Sequence, residues 1–125
     1  MTMGLWQEKG LQVLISYYDA EKYIKRAIDS IEASMKGHDW MIVFCGDGEQ
    51  KTTESIVRKY SKISSAKKVV HNVYPKATNC STAKNRAIKE GLRHAEEYPG
   101  LLVMDADDEM LPERPRLLET AIKYN

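Results

Sequence analysis

Four short apolar runs, each followed by a stretch of helical periodicity, limit this chain to a narrow set of folds. Residues 11–15 and 40–45 are almost wholly apolar, as strands buried on both faces must be, and residues 101–104 make a further apolar strand. Residues 68–73 carry more polar side chains and read as a weaker strand at a sheet edge. Strands that alternate with helices over short connections pair in parallel, since each helix serves as the crossover between neighbours. Right-handed crossovers then place helices on both faces. The expected fold is α/β, a doubly wound and mostly parallel sheet forming one domain over residues 11–125, with a loose arm over residues 1–10.

The helical stretches carry their own punctuation. Ile24, Ala27, Ile28 and Ile31 keep one stripe, with Asp19 a candidate cap and Gly37 a stop. A second helix is expected over about residues 53–62, with Ile56, Val57 and Tyr60 inward. Ser81 is a plausible cap for a third, which would bury Ala83, Ala87, Ile88, Leu92 and Ala95. Pro112 suits the first turn of a fourth, carrying Leu117, Leu118, Ala121 and Ile122 on its inner face.

Charge and composition remove several functions. Nineteen basic residues oppose eighteen acidic ones and are scattered among them, leaving a net charge of +1. Nucleic-acid binding normally needs a clustered basic surface, so no nucleic-acid partner is expected. No apolar run approaches the roughly 20 residues that span a bilayer, and residues 1–6 lack the basic start of a signal peptide. Cys45 and Cys80 form no close pair, and His38, His71 and His94 are dispersed. Neither a zinc site nor an oxidising compartment is indicated, and a cytoplasmic protein is expected.

In an open parallel sheet, ligands bind beyond the carboxyl ends of the strands, near the switch in strand order. Those ends carry Ser16-Tyr17-Tyr18-Asp19, Gly46-Asp47-Gly48 and Asp105-Ala106-Asp107-Asp108. Three carboxylates in four residues repel one another unless a cation neutralises them, and hard oxygen donors suit Mg²⁺ or Mn²⁺. The plainer reading of that segment is a polar, helix-capping turn. Asp47, in a turn flanked by glycines, is placed to accept a hydrogen bond from a base or ribose, or is part of an ordinary strand-to-helix turn. Tyr18 either stacks on a base or covers the core rim. Lys84 and Arg86 either reach a diphosphate or are solvated.

These segments, in this order, resemble the nucleotide-binding half of glycosyltransferase family 2, over roughly residues 11–118. Ser16-Tyr17-Tyr18-Asp19 stands where the family has a Pro-Thr-Tyr-Asn-like segment, and Gly46-Asp47-Gly48-Glu49 where it has Asp-Asp-Gly-Ser. Ala83-Lys84-Asn85-Arg86-Ala87 is similar to its Ala-Arg-Asn-x-Gly helix start. Asp105-Ala106-Asp107-Asp108-Glu109-Met110-Leu111-Pro112-Glu113-Arg114 is the closest match, at the metal motif. The resemblance implies a GT-A, Rossmann-like fold and a nucleotide-sugar donor, UDP by family habit. It puts Ser16, Tyr18, Asp47, Lys84 and Asp105 around that donor, and Asp105 and Asp107 on Mn²⁺ or Mg²⁺.

What the resemblance implies for activity is transfer of a hexose to a carbohydrate or other hydroxyl acceptor, with inversion and a carboxylate base. The base is not assigned; Asp108 and Glu109 are candidates by proximity alone. Family members continue past this point with their acceptor half. The alternative is therefore a nucleotide-sugar-binding module or fragment without competent transfer, and a homo-oligomer is one way to complete the acceptor site. A signalling receiver domain and a D-x-D phosphatase place their acidic residues after other strands.

Overall fold

The computed structural model describes residues 10–124. Strands and helices alternate without exception: β1 (Leu11–Tyr17), α1 (Ile24–Met35), β2 (Trp40–Asp47), α2 (Lys51–Ser61), β3 (Lys68–Tyr74), α3 (Cys80–Leu92), β4 (Gly100–Asp105) and α4 (Glu113–Tyr124). All three strand pairings are parallel, in the order β3-β2-β1-β4, so the weakly apolar β3 is an edge strand as its polar content predicts. Strand alternation builds two cores. Val13, Ile15, Trp40, Ile42, Phe44, Leu102 and Met104 face α1, α2 and α4, with Ile24, Ile31 and Val57 packed against them. Leu14, Met41, Val43 and Cys45 face the other way, onto Ala87 and Ile88 of α3. Side chains buried to this degree stabilise the fold by about 1.5–3 kcal/mol each.

The helix boundaries differ from the sequence expectation for local reasons. Asp19 caps no helix: it sits in the left-handed region at φ 50°, and the N–H groups of Tyr23 and Ile24 both donate to the Ala20 carbonyl. That extra turn delays α1 to Ile24. Gly37, at φ 87°, does stop it. α2 starts two residues earlier than expected because the Glu54 carboxylate reaches back to the Gln50 N–H, fixing Gln50 as N-cap. α3 is capped by Asn79, whose Oδ1 accepts from Thr82 N at 2.9 Å, and not by Ser81. α4 begins one residue past Pro112.

The expected inner faces hold only in part. Leu92 is exposed, because α3 meets the sheet through Gly91: a Cβ there would stand 2.8 Å from Leu14. The buried Gln12 amide locks this approach by donating to Gly91 O at 2.7 Å and Tyr98 O at 2.9 Å. On α4, Leu118 and Ile122 pack on the core while Leu117 and Ala121 face solvent. The expected arm yields at Gly10, which is buried and donates to Glu97 O at 3.0 Å; residues 1–9 lie outside the described part. Among the described residues, no helix is long and apolar enough to cross a membrane.

Candidate functional site

The chain runs β1, β2, β3 in one direction across the sheet and then returns over α3 to place β4 beside β1. That reversal opens a crevice beyond the carboxyl ends of β1 and β4. A cavity of about 360 Å³ lies there. Its walls come from the end of β1 and the following loop (Ser16, Tyr18, Tyr23), from Asp47 on β2, and from Asp105 and Asp107 at β4. Thr78, Cys80 and Ala83, around the start of α3, close the remaining side.

Strand register explains the convergence. Ser16 is the partner of Asp105 on one side and of Cys45 on the other, and Asp47 lies two residues beyond Cys45. Side chains alternate faces along a strand, so Ser16, Asp47 and Asp105 all project on the α3 side. These residues, expected in loops, are strand residues and inherit the sheet's rigidity. Tyr18, one step past β1, is 65% exposed at the cavity mouth.

Asp47 is only 4% exposed. Its Oδ1 accepts from Thr78 N at 2.9 Å and Thr78 Oγ1 at 2.8 Å, and Arg86 Nη1 stands 3.7 Å away. All three contacts fall on one oxygen of a carboxylate that lines the cavity. The Arg86 guanidinium lies 4.3 Å over the Tyr74 ring, a cation–π contact that turns it toward β3. Lys84 takes the other direction, its Nζ 3.0 Å from Asp105 Oδ1. The hydrogen bond and the charge of Asp105 raise the Lys84 ammonium above its ordinary pKa. Neither cation lines the cavity itself; each reaches it through a carboxylate.

Residues 105–108 form a turn closed by Asp108 N donating to Asp105 O at 3.1 Å, while Asp105 N donates to Asp108 Oδ2 at 3.1 Å. One carboxylate oxygen from each of Asp105, Asp107 and Asp108 lies within 4.8 Å of the others. Three hard, partly solvated oxygen donors at that spacing fit a divalent Mg²⁺ or Mn²⁺. The Lys84 ammonium on Asp105 shows that the turn already draws a cation. Glu109, next in sequence, pairs with Arg26 Nε at 3.2 Å. Asp108 and Glu109 are both exposed.

Several supporting residues were not expected from the sequence. α1 clamps the acidic loop: Arg26 Nη2 donates to Asp107 O at 3.0 Å, Ser30 Oγ accepts from Met110 N at 2.9 Å, and Ser34 Oγ donates to Met110 O at 2.9 Å. Ser30 and Ser34, four residues apart beside an apolar stripe, were the available signal. Gln50 ties the first two loops together, accepting from Asp19 N at 2.7 Å and donating to Tyr17 O at 3.2 Å and Asp47 O at 3.2 Å. Gly48, at φ 89°, makes the turn that lets its N–H reach Tyr74 O at 2.8 Å. Cys80 is exposed, whereas Cys45 is buried with its thiol pushed up to about 11 by desolvation and the charge of Glu90.

The sequence model of the family described as Glycosyl transferase family 2 matches residues 12–125 of this chain. No curated protein matches it.

Proposed function

Because the chain belongs to glycosyltransferase family 2, we propose that it transfers a hexose from a nucleoside-diphosphate sugar, UDP-linked, to an acceptor hydroxyl with inversion. A role in glycosyl transfer follows from the family; the donor, the metal and the stereochemistry are the proposal. The observation that carries it is the single cavity shared by Tyr18, Asp47, Asp105 and Asp107 at the switch in strand order.

Each residue has a task suited to its surroundings. Tyr18 offers an exposed ring for the base to stack on. Asp47, fixed by Thr78 on Oδ1, presents its other oxygen as an acceptor for a base N–H. Ser16 and Asp105, side by side in register, would receive the ribose and the diphosphate. Asp105 and Asp107, with Asp108 beside them, would hold Mn²⁺ or Mg²⁺. That ion, when bound, supplies Lewis-acid stabilisation for charge on the departing diphosphate. Lys84 adds a second positive charge within reach of the same phosphates. Asp108 and Glu109 remain the proximity candidates for the base that accepts the acceptor's proton.

Calorimetry with UDP- and GDP-sugars, with Mn²⁺ and with EDTA, tests the donor site. Wild type should bind a UDP-sugar only with metal, and Asp107→Ala should weaken that binding at least tenfold, about 1.4 kcal/mol. Equal binding by the variant would defeat the metal assignment. Metal-dependent binding with neither transfer nor donor hydrolysis, across a broad acceptor panel, would leave a donor-binding module in place of a transferase.

A further inference from the structure

We propose that Lys84 is an internal counter-cation that makes occupancy of the acidic turn by a divalent ion conditional on a diphosphate arriving with it. The proposal rests on the donor-site reading above and concerns what this lysine adds to it.

The three turn carboxylates are not equally free. Asp108 spends Oδ2 on the Asp105 N–H, and Asp105 spends Oδ1 on the Lys84 ammonium at 3.0 Å. The arrival of a doubly charged ion within the same 4.8 Å cluster sets two cations on one carboxylate. Like charges at that separation repel, so the ion must displace Lys84 or bind beside it at a cost. With nothing else to receive the ammonium, the ion alone binds weakly.

A diphosphate changes that balance. Lys84 lies four residues after Cys80, on the same face of α3, and Cys80 lines the cavity. An ammonium released from Asp105 therefore stays within reach of a phosphate lodged between the turn and the start of α3. Lys84 then exchanges a carboxylate oxygen for a phosphate oxygen, and Asp105 is freed for the ion in the same event. Each ligand lowers the cost of the other, and the enhancement must be equal in both directions. Arg86 cannot serve in this way, since it is engaged with Asp47 and Tyr74.

The test is Mn²⁺ binding to the full chain, read from the electron paramagnetic resonance of free Mn²⁺, with and without UDP. Lys84→Met should bind Mn²⁺ alone about tenfold tighter than wild type, the scale of one removed like charge at close range. UDP should then tighten Mn²⁺ far less in this variant than in wild type. Lys84→Arg, which keeps the charge, should stay near wild type, as should Lys89→Met, which removes an exposed charge elsewhere on α3. Lys84→Met binding no tighter than wild type, or Lys89→Met gaining as much, would overturn the proposal. If Asp107→Ala meanwhile loses Mn²⁺, the donor-site reading stands without it. No Mn²⁺ uptake by wild type or Lys84→Met, even with UDP, would remove the donor-site reading and this proposal together.

Discussion

Replacing Gly46 with alanine would force a methyl group into the Tyr17 side chain. Tyr17 and Gly46 are direct partners across β1 and β2. A Cβ on residue 46 would lie 2.6 Å from the Tyr17 hydroxyl and 2.7 Å from Cζ. Tyr17 has little room to retreat, being 1% exposed and hydrogen-bonded to His71 Nε2 at 2.7 Å. Burial keeps the phenol protonated and the imidazole neutral, so this is a neutral hydrogen bond. Overpacking a fixed site costs about 1–3 kcal/mol, and loss of the hydrogen bond adds about 1 kcal/mol. The expected loss is about 2–4 kcal/mol, or roughly 8–16 °C in Tm at about 4 °C per kcal/mol for a domain of this size. Urea and thermal denaturation followed by circular dichroism give the number. A cycle with Tyr17→Thr isolates the pair: threonine opens a cavity alone, yet should cost about 1–2 kcal/mol less when alanine fills it. A Gly46→Ala protein within about 0.5 kcal/mol of wild type, or a strictly additive cycle, would refute the steric reasoning.

Three other perturbations have defined outcomes. Arg26→Ala removes the contacts that brace the acidic turn, so Mn²⁺ affinity in the presence of UDP should fall several-fold while stability changes by less than about 1 kcal/mol, both read by titration and melting. Gln50→Ala releases the stitch between the first two loops, and UDP affinity by calorimetry should drop with little change in metal affinity. Glu32 is opposed by partial burial, yet hydrogen bonds from Tyr60, Ser65 and Ser64 leave its carboxyl below the ordinary 4.5. A lowered folded pKa gives stability that is present above pH 4.5 and is lost as pH falls through the folded value. Glu32→Gln should therefore be less stable than wild type by about 1–2 kcal/mol at pH 7, with the gap narrowing as the pH falls below 4.5; a gap that widens on acidification would contradict this.

The parts of the fold that were readable from sequence are those fixed by neighbours in the chain. Three strands announced themselves through short apolar runs, and the polar content of residues 68–73 marked β3 as an edge, whereas the apolar β4 gave no sign that it lies at the other edge of the described sheet. The rim segments were readable for the same reason, since residues closing a strand lie at its carboxyl end wherever that strand sits. What escaped were contacts between residues distant in sequence. Asp47 with Thr78, and Arg26 with Asp107, depend on how α1 and α3 lie across the sheet, which no local period encodes. Gly46 and Tyr17 each stood apart from the family pattern, but only their pairing shows that one makes room for the other. The misplaced caps have a similar origin: Asp19 is held by Gln50, a residue from the next loop.

The common orientation of Ser16, Asp47 and Asp105 has a consequence for how such a site can diversify. Their side chains are set by the same two-residue alternation that sorts the core, so adding or deleting one residue within β1, β2 or β4 would turn rim and core over together. Innovation by insertion is thereby barred from the strands. Residues 18–23 and 75–79 also border the cavity, through Tyr18, Tyr23 and Thr78, yet no ladder fixes their length. A library that varies those two loops would explore new ligands on an unchanged frame, and one that varies strand length would keep only the members that absorb the change in a bulge.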